Sequence, residues 1–145
     1  MIEINHEKKK IAVLLAKTLK DKTLERIKIV KHKVLGEVIG SAFTDTVADH
    51  PFLKRKSLFI SGSHVTDEMG TGLVHTAPAH GMDDYHACIG TNLDFQSPVD
   101  EKGVFIESQE YVGGMNLDEA NNKVIDLLAE RSLLLSKSTY RHSFP

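Results

Sequence analysis

The chain has a single cysteine, no tryptophan, and no apolar run near the ~20 residues that a membrane-spanning helix needs. One cysteine cannot build a disulfide framework, so a reducing compartment is the default reading. Cys88 falls on a predicted helix with no nucleophile motif around it, and is expected to be a packed thiol. No signal-peptide pattern opens the sequence. No serine-centred nucleophile elbow, phosphate-binding glycine loop or dinucleotide fingerprint occurs, and repeats and low-complexity segments are missing too. What is present is 145 residues of ordinary globular composition, 41% hydrophobic and 26% charged, enough for one domain around one core.

The net charge of −2 is unevenly spread. Residues 1–72 hold 13 Lys and Arg against 9 Asp and Glu, a net of +4; residues 73–145 hold 5 against 11, a net of −6. A basic first half could suit a polyanion meeting one side. Alternatively, Lys8-Lys9-Lys10 and Lys54-Arg55-Lys56 are only solvated turns.

Hydrophobic spacing divides the chain into short elements. Met1 to Ile4 alternates like a strand with almost no lead-in, as though the chain begins inside an element, and Asn5 to Lys8 is a polar turn. Ile11, Leu14, Leu15 and Leu19 predict a helix over about 12–20. Strands are expected at 26–30, 36–40, 57–60, 104–106 and 133–135, with a loop over 41–51 and a turn over 100–103. The strongest helix reading is 117–131, where Asn116 can cap and Glu119 can complete a capping box. The elements do not alternate as a doubly wound sheet requires, so the expected class is α+β, a mixed, barrel-like sheet with helices outside.

Gly70-Thr71-Gly72-Leu73-Val74-His75-Thr76-Ala77-Pro78-Ala79-His80-Gly81-Met82-Asp83-Asp84-Tyr85 concentrates the chemistry. It reads as a buried strand over 73–76, a tight turn at Pro78–Gly81, and a helix opening at Asp83-Asp84. A strand end meeting a helix start at a glycine turn lets backbone approach a ligand closely. Asp83 and Asp84 either favour a helix N-terminus or offer a carboxylate to a cationic group. His75 is either a hydrogen-bonded structural histidine or part of a site. Thr71 and Thr76 either bond a substrate hydroxyl or satisfy neighbouring backbone. His80 fits the turn and His86 a helix surface, while His64 is a loop residue with little claim. His75, His80 and His86 are five and six residues apart, unlike a helical zinc pair four apart, so no metal is expected.

The same sixteen residues resemble the signature of the editing domain inserted in isoleucyl-tRNA synthetase, which hydrolyses valine wrongly esterified to the isoleucine tRNA, with valyl-adenylate as a second candidate substrate. The leucyl and valyl enzymes share the Gly-Thr-Gly and the Pro-Ala-His turn but typically replace the histidine of Val-His-Thr. Residues 116–121 and His142-Ser143-Phe144-Pro145 are also similar to that insertion, so the resemblance covers nearly the whole chain. It implies a compact barrel-like core and a cytoplasmic, ATP-using ligase as the whole protein. The implied partners are the valine-bearing 3′ end of tRNA and the rest of the synthetase in cis. No cofactor, membrane or oligomer is implied.

By the same resemblance Asp84 holds the α-ammonium of the amino acid and His75 walls the pocket. The backbone of Gly70, Thr71 and Gly72 meets the adenosine. Val74, Thr76, His80 and Asp83 complete the substrate-contacting set, although Asp83 could serve only the turn. The family carries a threonine-rich segment with a tryptophan and a Pro-Ala-Asn turn just before the strand where this chain starts, a segment that helps position the attacking water. Residues 1–145 are therefore expected to be a partial domain cut before residue 1, with little hydrolysis of its own. Two other readings stay open: a tRNA- or adenosine-binding module without turnover, and a metal-dependent hydrolase.

Overall fold

The computed structural model describes residues 1–68 and 70–139, and the His142–Pro145 motif lies outside them. Its elements are β1 (Ile2–His6), β2 (Lys9–Val13), α1 (Lys20–Arg26), β3 (His32–Val34), β4 (Val47–Asp49), β5 (Lys56–Leu58), α2 (Met82–Cys88) and α3 (Leu117–Glu130). Short 3-10 turns cover Lys17–Leu19 and Gly40–Phe43. The class is α+β. The described strands form an antiparallel three-stranded sheet in the order β2-β1-β3 and a separate β4-β5 ribbon, with no closed barrel among the described residues.

β1 is the central strand because Ile2 and Ile4 put two branched side chains on one face of an alternating run. Both are buried with Leu24 of α1, and Ile11, Val13, Leu15, Ile27, Ile29 and Leu135 pack against them. The β1–β2 hairpin turns on Glu7 and Lys8, whose φ values of 47° and 66° are the left-handed pair that a two-residue hairpin loop requires. The helix expected over 12–20 is replaced at its start by β2. Ile11 and Val13 fall opposite Ile4 and Ile2, so pairing to the sheet overrides a spacing that also fits a helix. The helix forms later, as α1.

Two of the expected strands are helix endings. At 26–30, Lys28 takes a left-handed φ of 57°, its N–H donates to the Glu25 carbonyl at 3.0 Å, and the Ile29 N–H donates to Leu24 at 2.9 Å. That is a Schellman closure of α1, and its accompanying apolar contact between Leu24 and Ile29 produced the strand-like alternation. The end of α3 repeats it: Ser132 has φ 58°, Ser132 N–H donates to Ala129 at 2.9 Å and Leu133 N–H to Leu128 at 2.8 Å. Residues 133–135 are accordingly not a strand, although Leu135 reaches the core. At 36–40 no strand forms either; sheet pairing falls instead on His32–Val34, in register with Ile4 to Ile2.

The loop expected over 41–51 contains β4, which pairs with β5, the shortened form of the 57–60 strand. Residues 104–106 make only isolated bridges, Val99 to Phe105 and Val104 to Asn116. α3 has the expected capping box: the Asn116 side chain accepts from Glu119 N–H at 3.0 Å, and Glu119 accepts from Asn116 N–H at 3.1 Å. Its far end is tied to the β4–β5 region. Arg131 donates to the Pro51 carbonyl at 3.4 Å and to the Tyr111 hydroxyl at 3.2 Å, and Phe52 meets the Tyr111 ring edge-on.

Candidate functional site

The glycine-rich segment is pinned to the first helical region by backbone. The Ala16 N–H donates to the Thr71 carbonyl at 2.7 Å, and the buried Thr23 hydroxyl donates to the Gly70 carbonyl at 3.3 Å. Gly72 has φ 79°, and a Cβ there would lie 2.5 Å from the Ala16 Cβ, so both conformation and space demand glycine. The Thr71 hydroxyl donates to the Leu73 carbonyl at 3.2 Å, which spends it on local backbone.

The expected buried strand over 73–76 does not form. These residues pair with no strand among the described residues, and Leu73 and Val74 are 43% and 56% exposed. The reason is pairing geometry. The open edges of β2, β3, β4 and β5 are not met by this run, whose preceding Thr71 carbonyl is held by the Ala16 N–H instead, and an apolar run without a partner strand is not a strand. His75 is likewise exposed, while Thr76 is half-buried. His75 is close enough to His50 to disfavour a second positive charge there. The His50 pKa lies below its ordinary value, first through burial, then through Arg55 and His75. His50 Nδ1 accepts from the Leu53 N–H at 3.0 Å, a contact that requires that nitrogen to be unprotonated.

The turn and helix form as expected. His80 N–H donates to the Ala77 carbonyl at 2.9 Å, leaving the His80 side chain exposed, and Tyr85 N–H donates to Gly81 at 2.8 Å as α2 begins. Of the two acids, it is Asp84 whose carboxylate braces the turn: Oδ2 accepts from the Ala77 N–H at 3.1 Å. Its other oxygen, Oδ1, lies 3.6 Å from His64 Nε2. No Lys or Arg pairs with Asp84 among the described residues. Asp83 is exposed and lines a cleft of about 310 Å³ with His64, His86, Ala87 and the Ser61–Ser63 loop. Gly70 to Thr76, His80 and Asp84 are not part of that lining, so the residues expected to share one pocket are only partly brought together.

His64 is the residue that sequence reasoning passed over. It lines the cleft and also faces Asp84. Its signal was the neighbouring Gly62: a Cβ at that position would sit 2.8 Å from His64 Cε1, so the loop is built around the imidazole. Cys88 is buried as expected, and burial, followed by the nearby Asp84 charge, raises its thiol pKa, which keeps it protonated and inert. No cluster of three His, Cys, Asp or Glu side chains suited to a metal occurs among the described residues. No helix among them is long and apolar enough to cross a membrane.

No family model matches the chain. Individual relatives do. It is 42% identical over 134 residues to the isoleucine–tRNA ligase of Shewanella baltica, covering 92% of this chain and 14% of that protein. It is 41% identical over 133 residues to the isoleucine–tRNA ligase of Alkalilimnicola ehrlichii, with the same coverage. The isoleucine–tRNA ligase of Coxiella burnetii is 42% identical over 135 residues, 93% of this chain and 14% of the relative. The chain therefore spans about one seventh of the length of the curated relatives it matches, and over almost all of its own length it is homologous to a segment of isoleucine–tRNA ligases.

Proposed function

We propose that this chain is the editing portion of an isoleucyl-tRNA synthetase and that its site hydrolyses the ester between valine and the tRNA terminal adenosine. The observation that carries this reading is the state of Asp84. One carboxylate oxygen is fixed by the Ala77 N–H, and the other is turned toward an imidazole, with no Lys or Arg beside it among the described residues. An amino-acid ester brings the missing cation as its α-ammonium, and a carboxylate held in place gives its free energy when such a partner arrives.

The need for a second site follows from affinity limits. A pocket shaped for isoleucine loses only about 1–3 kcal/mol when one methylene is missing, a magnitude for which isoleucine against valine is itself the standard example. A second site that admits valine and rejects the larger side chain supplies the remaining discrimination. In this reading His75 sets the size limit, and the Gly70-Thr71-Gly72 backbone approaches the adenosine. Val74, Thr76 and Asp83 contribute further contacts, and His80 stabilises the turn.

Electrostatics agree with a polyanionic partner. Lys9 and Lys10 on β2 and Lys33 on β3 lie on the two edge strands that flank β1, with Lys8 in the β1–β2 turn and Lys31 just before β3, and all are exposed. Among the described residues only Lys10 of these is ion-paired, to Glu3 at 3.4 Å. The test is deacylation of valyl-tRNA by a full-length synthetase carrying this segment, set against the same enzyme with the segment removed. The intact enzyme is expected to clear the mischarged tRNA and the shortened one to accumulate it. Equal clearance by both would remove editing from this segment and leave the reading of a tRNA-binding module without turnover.

A further inference from the structure

Asp84 Oδ1 faces His64 Nε2 at 3.6 Å, and that nitrogen is a buried atom with no hydrogen-bond partner. A buried imidazole nitrogen left unsatisfied carries a cost unless something arrives or moves to meet it. The ring has little freedom to look elsewhere. Val65 N–H donates to the Gly62 carbonyl at 3.1 Å, closing a turn that carries His64 back over Gly62. The absence of a Cβ at Gly62 is what admits the ring, whose Cε1 and Nδ1 would lie 2.8 and 3.0 Å from it. Across the gap, Asp84 Oδ2 is fixed by Ala77 N–H, so the two groups are aimed at one another by separate backbone devices. The other titratable groups at this place are Asp83 and His86 on α2, which line the same cleft as His64, and Cys88, whose thiol stays protonated.

We propose that His64 is a positioning residue for Asp84. A small closing movement brings the His64 Nε2–H within hydrogen-bond distance of Oδ1 and holds the carboxylate in the orientation that receives a cationic group. This rests on the reading of Asp84 given above and adds a second residue to it. The chemistry is a hydrogen bond alone, with no bond to substrate. Amino-ester binding should weaken when the imidazole is removed, and the weakening should appear in KM more than in kcat, because the contact orients a binding group.

The experiment is steady-state deacylation of valyl-tRNA by the full-length synthetase, as wild type, His64→Ala, His64→Gln, Asp84→Asn and the His64→Ala/Asp84→Asn double variant. Misplacing a binding group by about an ångström costs up to about a hundredfold in rate, so His64→Ala should lower kcat/KM by about ten- to a hundredfold, chiefly through KM. His64→Gln, which keeps a donor near the Nε2 position, should recover most of that loss. In the Asp84→Asn background His64→Ala should cost less than about twofold, since residues acting through one another are not additive. Full additivity, or a loss in His64→Gln as large as in His64→Ala, overturns the proposal while leaving Asp84 its role. An Asp84→Asn enzyme with undiminished editing overturns the reading of Asp84 first, and the proposal with it.

Discussion

At the scale of single residues, the site depends on which nearby group meets which. His75 was assigned a wall of the amino-acid pocket by the resemblance, and the structure leaves its side chain exposed beside His50. If it sets the size limit once the full pocket is assembled, His75→Ala in the full-length enzyme should allow isoleucyl-tRNA to be hydrolysed, lowering the ratio of valine to isoleucine deacylation. Measuring both esters decides this, and equal slowing of the two would take His75 out of the sieve.

His50 offers a separate pH effect. Its folded-state pKa is depressed, so the unfolded chain binds the proton more readily below the ordinary histidine value of 6.5. Stability should therefore be intact above that pH and be lost as the pH falls toward and through the depressed folded value. Denaturant melts between pH 7.5 and 5 should show this slope, and it should flatten in His50→Gln.

At the scale of elements, local signals succeeded where they depended on few residues. The Asn116–Glu119 capping box, the Pro78–Gly81 turn and the helix opening at Asp83-Asp84 are all in place, because caps and tight turns are decided by side chains within four positions. Strands were less legible, since a strand exists only with a partner. Leu73-Val74 has the composition of one and no ladder, while Lys9–Val13 looks helical by spacing and is drawn into the sheet by β1. Ile27-Lys28-Ile29 shows a third route to error: the apolar clasp of a helix ending alternates like a strand.

Two substitutions test these local devices. Asn116→Ala should cost about 1 kcal/mol by removing the cap of α3, measurable as a lower denaturant midpoint with unchanged slope. Gly72→Ala should cost more, about 2–3 kcal/mol or beyond, because it adds a left-handed alanine to a collision with Ala16. A Gly72→Ala protein as stable as the parent would mean that the 70–72 loop is not held against Ala16 as described.

At the scale of the whole molecule, the core around Ile2, Ile4 and Leu24 is small, and apolar residues such as Val30 (91% exposed) and Ile39 (74% exposed) face outward. The relatives are about seven times longer, and the site reading places catalysis in the complete enzyme. The 145-residue chain by itself is accordingly expected to deacylate valyl-tRNA at little above background. Robust turnover by the isolated chain would show that its own residues suffice.

The central claim is that Asp84 acts by its charge. Because this carboxylate also braces the turn through Ala77 N–H, alanine would remove both roles at once, whereas asparagine can keep an oxygen for that N–H while losing the charge. The most direct measurement is valyl-tRNA deacylation by the full-length synthetase bearing Asp84→Asn, with isoleucine activation followed in the same preparation. Losing the charged partner of a bound ammonium costs about 2–5 kcal/mol, so deacylation should fall by tens to thousands of fold while activation is unchanged. Deacylation by Asp84→Asn at the wild-type rate would contradict the account, and would return Asp84 to the turn alone.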